Sequence, residues 1–214
     1  MKIPARPLWA VVALCLGAGL SLVALASAQE VKARSERVEL PLLRKIRAEE
    51  GPYRQLAYLV QWNGNEVVAD GQSAREIAPS GGTIPVLVYQ APYPRNQKPH
   101  GLMRFTAMSA KPTAPAASTL TEKAPSLPPE RRRLKVTRAI ALENEGHLHR
   151  GYLVEWNGGE AFVQDTLSGT NFKAGDQLPV LVMRHAHPDP LVLEGILSLM
   201  TSSAMVDIAA RESR

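Results

Sequence analysis

Tyr58-Leu59-Val60-Gln61-Trp62-Asn63-Gly64 and Tyr152-Leu153-Val154-Glu155-Trp156-Asn157-Gly158 are one motif written twice in this chain. In each copy a β-prone run ends in Asn-Gly, and a second β-prone run follows: Glu66-Val67-Val68 in one, Glu160-Ala161-Phe162-Val163 in the other. Asn-Gly between such runs is a strong hairpin signal, because both residues tolerate the positive φ of a two-residue turn. Strand alternation puts Tyr, Val and Trp on one face and Leu with Gln or Glu on the other. The Tyr-Val-Trp face is expected to point inward.

The two copies stand 94 positions apart (58 to 152), and the same offset runs far beyond the motif. It matches Gly81 with Gly175, Pro85-Val86-Leu87-Val88 with Pro179-Val180-Leu181-Val182, Gly101 with Gly195, and Ser109-Ala110 with Ser203-Ala204. Upstream it aligns Leu40, Arg44, Ile46 and Glu49 with Leu134, Arg138, Ile140 and Glu143. A series of matches in one register, without a gap, indicates a duplication. The units span residues 36–110 and 130–204. Each holds about 75 residues, enough for one compact core but marginal alone, so packing of one unit on the other or homo-oligomerisation is expected.

Five short strands are expected per unit. Val38 to Leu43 and Leu134 to Leu142 open the units, the second with one break in its alternation; Arg44 to Glu50 would also suit a short helix. The hairpin supplies two strands. A glycine turn then leads into Pro85-Val88 or Pro179-Val182, apolar on both faces, and Gly101-Phe105 or Gly195-Met200 closes the unit. The expected fold is therefore all-β, with two tandem small β-barrel-like domains; an SH3-like or OB-like barrel of about five strands fits the size. Residues 111–129 join the units as a semi-rigid spacer carrying Pro112, Pro115, Pro125, Pro128 and Pro129. Residues 205–214 form a tail.

The first 28 residues set the expected compartment. Lys2 and Arg6 precede an uncharged stretch from Leu8 to Leu25, and Ala26-Ser27-Ala28 follows. This is the layout of a secretory signal peptide with an A-x-A cleavage site. An uncleaved membrane anchor is the alternative, because the apolar stretch approaches the ~20 residues that span a bilayer. A periplasmic or secreted chain is expected. Cleavage after Ala28 removes the single cysteine, Cys15, so the mature chain has no disulfide, thiol nucleophile or thiolate ligand. It also removes two of 25 basic residues and no acids; 23 basic against 20 acidic residues leave a net charge of +3. So mild a charge, on an exported chain, argues against a nucleic-acid partner. The densest basic run, Arg131-Arg132-Arg133, reads as a solvated joint.

Catalytic signatures are thin. No serine lies in a G-x-S-x-G elbow, and Ser80-Gly81-Gly82-Thr83 lacks the lysine of a phosphate loop. The sharpest chemical candidate is histidine. Four of five fall in the second unit as two H-x-H pairs, His147 with His149 and His185 with His187. Residues i and i+2 of a strand share a face, so two such pairs on neighbouring strands would suit Zn²⁺ or Cu²⁺, with Asp189 or Glu145 adding oxygen. The competing reading places both pairs in solvated loops, as Pro188 and Pro190 suggest. Trp62, Trp156 and Tyr93 are candidates for a ligand or partner surface, although buried tryptophan more often serves a core.

The leading expectation is an exported, non-enzymatic binding or scaffolding protein of the cell envelope, its two β-modules engaging an envelope protein or a cell-wall polymer. No cofactor is required by that reading. A periplasmic metal-binding protein and a wall-polysaccharide binder are the alternatives.

Overall fold

The structure is a computed structural model that describes residues 33–71, 76–77, 79–92, 100–108, 120–165 and 170–202. The expected signal segment, residues 111–119 of the linker, the tail at 205–214 and Tyr93 lie outside these residues. Every regular element among the described residues is a strand, and the chain is all-β. Arg44 to Glu50 belongs to a strand.

Each half contributes five strands. The first half holds β1 (Arg34–Glu50), β2 (Tyr53–Trp62), β3 (Asn65–Gly71), β4 (Thr83–Ala91) and β5 (Gly101–Ala107). The second holds β6 (Leu127–Asn144), β7 (His147–Trp156), β8 (Gly159–Gln164), β9 (Gln177–His185) and β10 (Gly195–Thr201). The Asn-Gly hairpins form as expected: Asn63 and Gly64 have φ of 48° and 77°, Asn157 and Gly158 45° and 81°. A third pair of positive φ values, at Glu145 and Gly146, turns β6 into β7.

Within each half the pairings run in a circuit. β1 pairs with β4, β4 with β5, β5 with β3, β3 with β2, and β2 again with β1. The second half repeats this as β6–β9–β10–β8–β7–β6. One long strand serves two partners because it bends at a bulge. β1 pairs with β4 through Pro41 and with β2 from Leu42, and its register slips between Leu42 and Arg44. β6 slips at the equivalent place, between Val136 and Arg138. An extra residue there turns the strand without abandoning the ladder, and it accounts for the broken alternation in the sequence.

The halves are joined by more than the connecting segment. All ten strands belong to one hydrogen-bonded sheet, closed by two short parallel contacts between the halves. Gly101 and Leu102 of β5 pair with His147 and Leu148 of β7; Gly195 and Ile196 of β10 pair with Tyr53 and Arg54 of β2. Shifting the first contact by 94 positions gives the second with the halves exchanged. The association is therefore reciprocal, as in a twofold dimer, here within one chain.

Packing follows the same rule. Tyr58 and Val60 lie in the first core, with Trp62 packed against it, and Tyr152, Val154 and Trp156 lie in the second. The opposite face of the hairpin is also buried: Leu59 and Leu153 meet in a third cluster with Ile46, Ala57, Val68, Ile140 and Phe162, drawn from both halves. Full burial of each such side chain is worth about 1.5–3 kcal/mol, which offsets the marginal size of either half. Leu142 of the second half completes the first core, and its equivalent, Ala48, lies in the second.

The linker contributes more than spacing. Ala124 is buried in the second core and its N–H donates to Leu193 O at 2.8 Å, while Pro125 O accepts from the Tyr53 hydroxyl at 2.7 Å. Pro128 and Pro129 sit at the start of β6, where the register against β9 slips between Leu127 and Glu130. A slip is where a strand tolerates residues that cannot donate to the ladder.

Candidate functional site: the clefts at the seam

The seam between the halves gathers a large share of the buried polar side chains. Glu50, at the end of β1, reaches the second half. Arg184 donates to both its carboxylate oxygens (Nε–Oε2 2.8 Å, Nη2–Oε1 2.9 Å), and Arg132 donates to Oε1 at 2.8 Å. Glu130 accepts from the same two arginines at 2.7–2.9 Å. The Arg184 hydrogen bonds, then those of Arg132, hold Glu50 below the usual carboxylate range against the opposing effect of burial. Arg132, then Arg184, bring Glu130 down to about 2. The basic run is thus split by strand alternation: Arg131 and Arg133 are exposed, whereas Arg132 enters this cluster and lies 5.1 Å from the Trp156 ring centroid.

The tryptophans are structural in different degrees. Trp156 is buried and donates its indole N–H to Glu49 O at 3.1 Å, across the seam. Trp62 is half-buried and meets Phe105 edge-on at 5.4 Å. Phe105 in turn meets the His149 ring at 4.9 Å. Of the sequence candidates for a ligand surface, Trp62 keeps a solvent-facing part.

The histidine pairs are placed at different ends of the seam. His147 and His149 lie on β7 beside β5, and both are buried; His147 Nδ1 is 3.0 Å from Glu145 O and His149 Nδ1 3.4 Å from Met103 O. His185 ends β9 and is exposed, while His187 is buried and its Nδ1 accepts from the Asp189 N–H at 3.0 Å. The i, i+2 spacing does put His147 and His149 on one strand as expected. Among the described residues, however, no group of three or more His, Cys, Asp or Glu is placed to hold a metal ion. Burial, opposed by the Met103 carbonyl, brings His149 down to about 4, so its ring is neutral at ordinary pH.

Two clefts open where the parallel contacts end, and they occupy equivalent places. The narrow one, of about 40 Å³, includes Leu102, Met103, Arg104, His149, Gln164 and Asp165 in its lining. The wide one, of about 340 Å³, includes the equivalents Ile196, Leu197, Ser198, Gln55, Asp70 and Gly71. Arg104 is replaced by Ser198, and Asp165 by Gly71. In the narrow cleft Asp165 is buried, 3.1 Å from Arg150 Nε, and accepts the Thr201 hydroxyl at 3.1 Å. At Gly71 a Cβ would lie 2.6 Å from Leu56 O, so the backbone of β2 admits no side chain there.

In the wide cleft two of the polar side chains are already engaged. Gln55 is bound to the main chain of Phe162, and Arg54 pairs with Glu49 at 3.1 Å and Glu194 at 3.6 Å. Asp70, which lines both clefts, is not among them. Its carboxyl makes no hydrogen bond or ion pair among the described residues. Burial pushes it up to about 6, with only the charge of Arg104 opposing. Sequence reasoning missed Asp70, Gln55 and Ser198. The accessible signal was the repeat itself, since Ser198 opposite Arg104 marks a position where the copies diverge.

No protein-family model and no curated protein matches this chain.

Proposed function

We propose that this is an exported, non-enzymatic scaffolding or binding protein of the cell envelope, each half acting as a small five-stranded barrel of SH3-like or OB-like kind. The observation that carries the reading is the reciprocal seam: two equivalent halves are joined by a shared sheet, a mixed core and the Glu50–Arg132–Arg184 cluster. A body that repeats one fold in fixed register suits a partner that is itself paired or repetitive, because the second contact then forms at high effective concentration. The A-x-A segment and a mature chain without cysteine support the compartment. The test is crosslinking in intact cells followed by capture from the envelope fraction. The reading expects one or a few envelope proteins, recovered in proportion to crosslinker and lost when the exposed faces of the two halves are recharged. Recovery of the chain alone, or its location in the cytosol, overturns it; co-sedimentation with purified wall polymer would move the partner from protein to polysaccharide.

A further inference from the structure

We propose that the wide seam cleft is a binding site for an alkyl ammonium, a lysine-like side chain, with Asp70 as its counter-ion. The site stands independently of the envelope reading.

The duplication supplies an internal comparison. Both clefts are built by equivalent strands of the two halves, yet one measures about 40 Å³ and the other about 340 Å³. The larger lies within the range of small-ligand sites, whereas the smaller has room only for water. The difference does not come from displaced strands, because Gly101–His147 and Gly195–Tyr53 pair in the same register. It comes from side chains: Ser198 and Gly71 stand where the narrow cleft has Arg104 and Asp165.

The charge pattern selects the ligand. Arg54, the cation lining the wide cleft, is committed to Glu49 and Glu194, so an incoming anion would have to displace two carboxylates. Asp70 is in no such ion pair among the described residues; the charge of Arg104 acts on it without a hydrogen bond between them. A carboxylate held in a partly desolvated place without a donor is a group whose interactions are incomplete, and a cation that donates hydrogen bonds completes them. Strand alternation places Ile196 and Ser198 on the cleft side of β10 and buries Leu197 in the second core. Ile196 provides an apolar wall for a short aliphatic stem, and the Ser198 hydroxyl is a second acceptor in the same cleft. An ammonium carries three donors on a flexible stem, which suits one carboxylate and one hydroxyl better than the planar fork of a guanidinium.

The test is an NMR titration of the full, ¹⁵N-labelled chain with Nα-acetyl-lysine N-methylamide, with Nα-acetyl-norleucine N-methylamide as the uncharged counterpart. Saturable shifts are expected at the amides of Asp70, Ile196 and Ser198, with a Kd on the order of 1 mM. The norleucine probe should bind at least about tenfold more weakly. Asp70→Asn should abolish the shifts, and Ser198→Arg, which installs the residue of the narrow cleft, should do so while leaving Asp70 in place. Equal binding of both probes, binding that survives Asp70→Asn and Ser198→Arg, or no saturable shift at these amides overturns the proposal. Partner capture from the envelope would be unaffected by any of those outcomes, so the two readings fail separately.

Discussion

The side-chain amide of Gln55 makes both hydrogen bonds that a neighbouring strand would make to Phe162: its Nε2 donates to Phe162 O and its Oε1 accepts from Phe162 N–H, each at 2.8 Å. One buried side chain thus extends the ladder of one half onto the edge of the other. Gln55→Leu keeps the volume and leaves a buried N–H and a buried C=O without partners. With about 1–3 kcal/mol for each unsatisfied group, a loss of about 3 kcal/mol is expected in chemical denaturation. A loss below about 0.5 kcal/mol would mean that water replaces the amide.

Gly151 and Phe162 are the second half's answer to Ala57 and Val68 of the first. A Cβ on Gly151 would lie 2.3 Å from Phe162 Cε2, so the large ring occupies the room that the glycine leaves. Gly151→Ala alone should cost about 2 kcal/mol by overpacking, and Phe162→Val alone about 2 kcal/mol through the cavity. The double variant restores the first half's pair and should cost less than the sum by at least about 1 kcal/mol. Strict additivity in the double-mutant cycle would refute the compensation.

The cluster at Glu50 should show graded sensitivity. Glu50→Gln leaves Arg184, whose side chain is only 8% exposed, with a single carboxylate, and a cost of about 2 kcal/mol is expected. Glu130→Gln removes a group whose side chain is 46% exposed, and solvent screening reduces its cost to about 0.5 kcal/mol. Denaturant midpoints in the reverse order would place the lock elsewhere.

Acid should act on the seam through two groups of opposite sign. His149 falls to about 4 from its ordinary 6.5, so the unfolded chain takes up its proton first and stability is lost as pH falls from about 6.5 to 4. Asp70 rises to about 6 from 3.8, so the folded chain takes up its proton first and stability is gained as pH falls through about 6 to 4. Each effect amounts to about 2–3 kcal/mol, and they nearly cancel. Asp70→Asn should therefore expose an acid lability of about 2–3 kcal/mol between pH 6.5 and 4, and His149→Gln should make the protein more stable at pH 4 than at 6.5. Parallel stability–pH curves for the native chain and both variants would contradict this assignment. Glu50 and Glu130, held below the carboxylate range, add a loss that begins near their ordinary 4.5 and grows as pH falls further.

Local chemistry was legible in the sequence wherever it repeats. Asn63-Gly64 and Asn157-Gly158 fixed the hairpins by their φ requirement, and the Tyr-Val-Trp alternation identified the inward face. What the repeat could not reveal is that the other face is inward too. Leu59 and Leu153 alternate with Gln61 and Glu155, as on a half-exposed strand, and only the approach of the second half buries them. Gly101 and Gly195 were visible as equivalents, but not as places where Cβ atoms would strike His147 and Tyr53 of the opposite half. The cleft was illegible for a related reason: Asp70 gains its environment from β10, more than 120 residues away along the chain.

Because Leu142 completes the first interior and Ala48 lies in the second, neither half finishes before the other arrives. A ribosome delivers the chain from its N-terminus, so Ile46, Leu59 and Val68 stay uncovered until Phe162 has been made. During that interval the nascent first half is a sticky, unfinished particle that invites chaperone capture or wrong pairing with the first half of another newborn molecule. Duplication in one polypeptide answers that hazard by ensuring that the correct mate is always the next segment to appear.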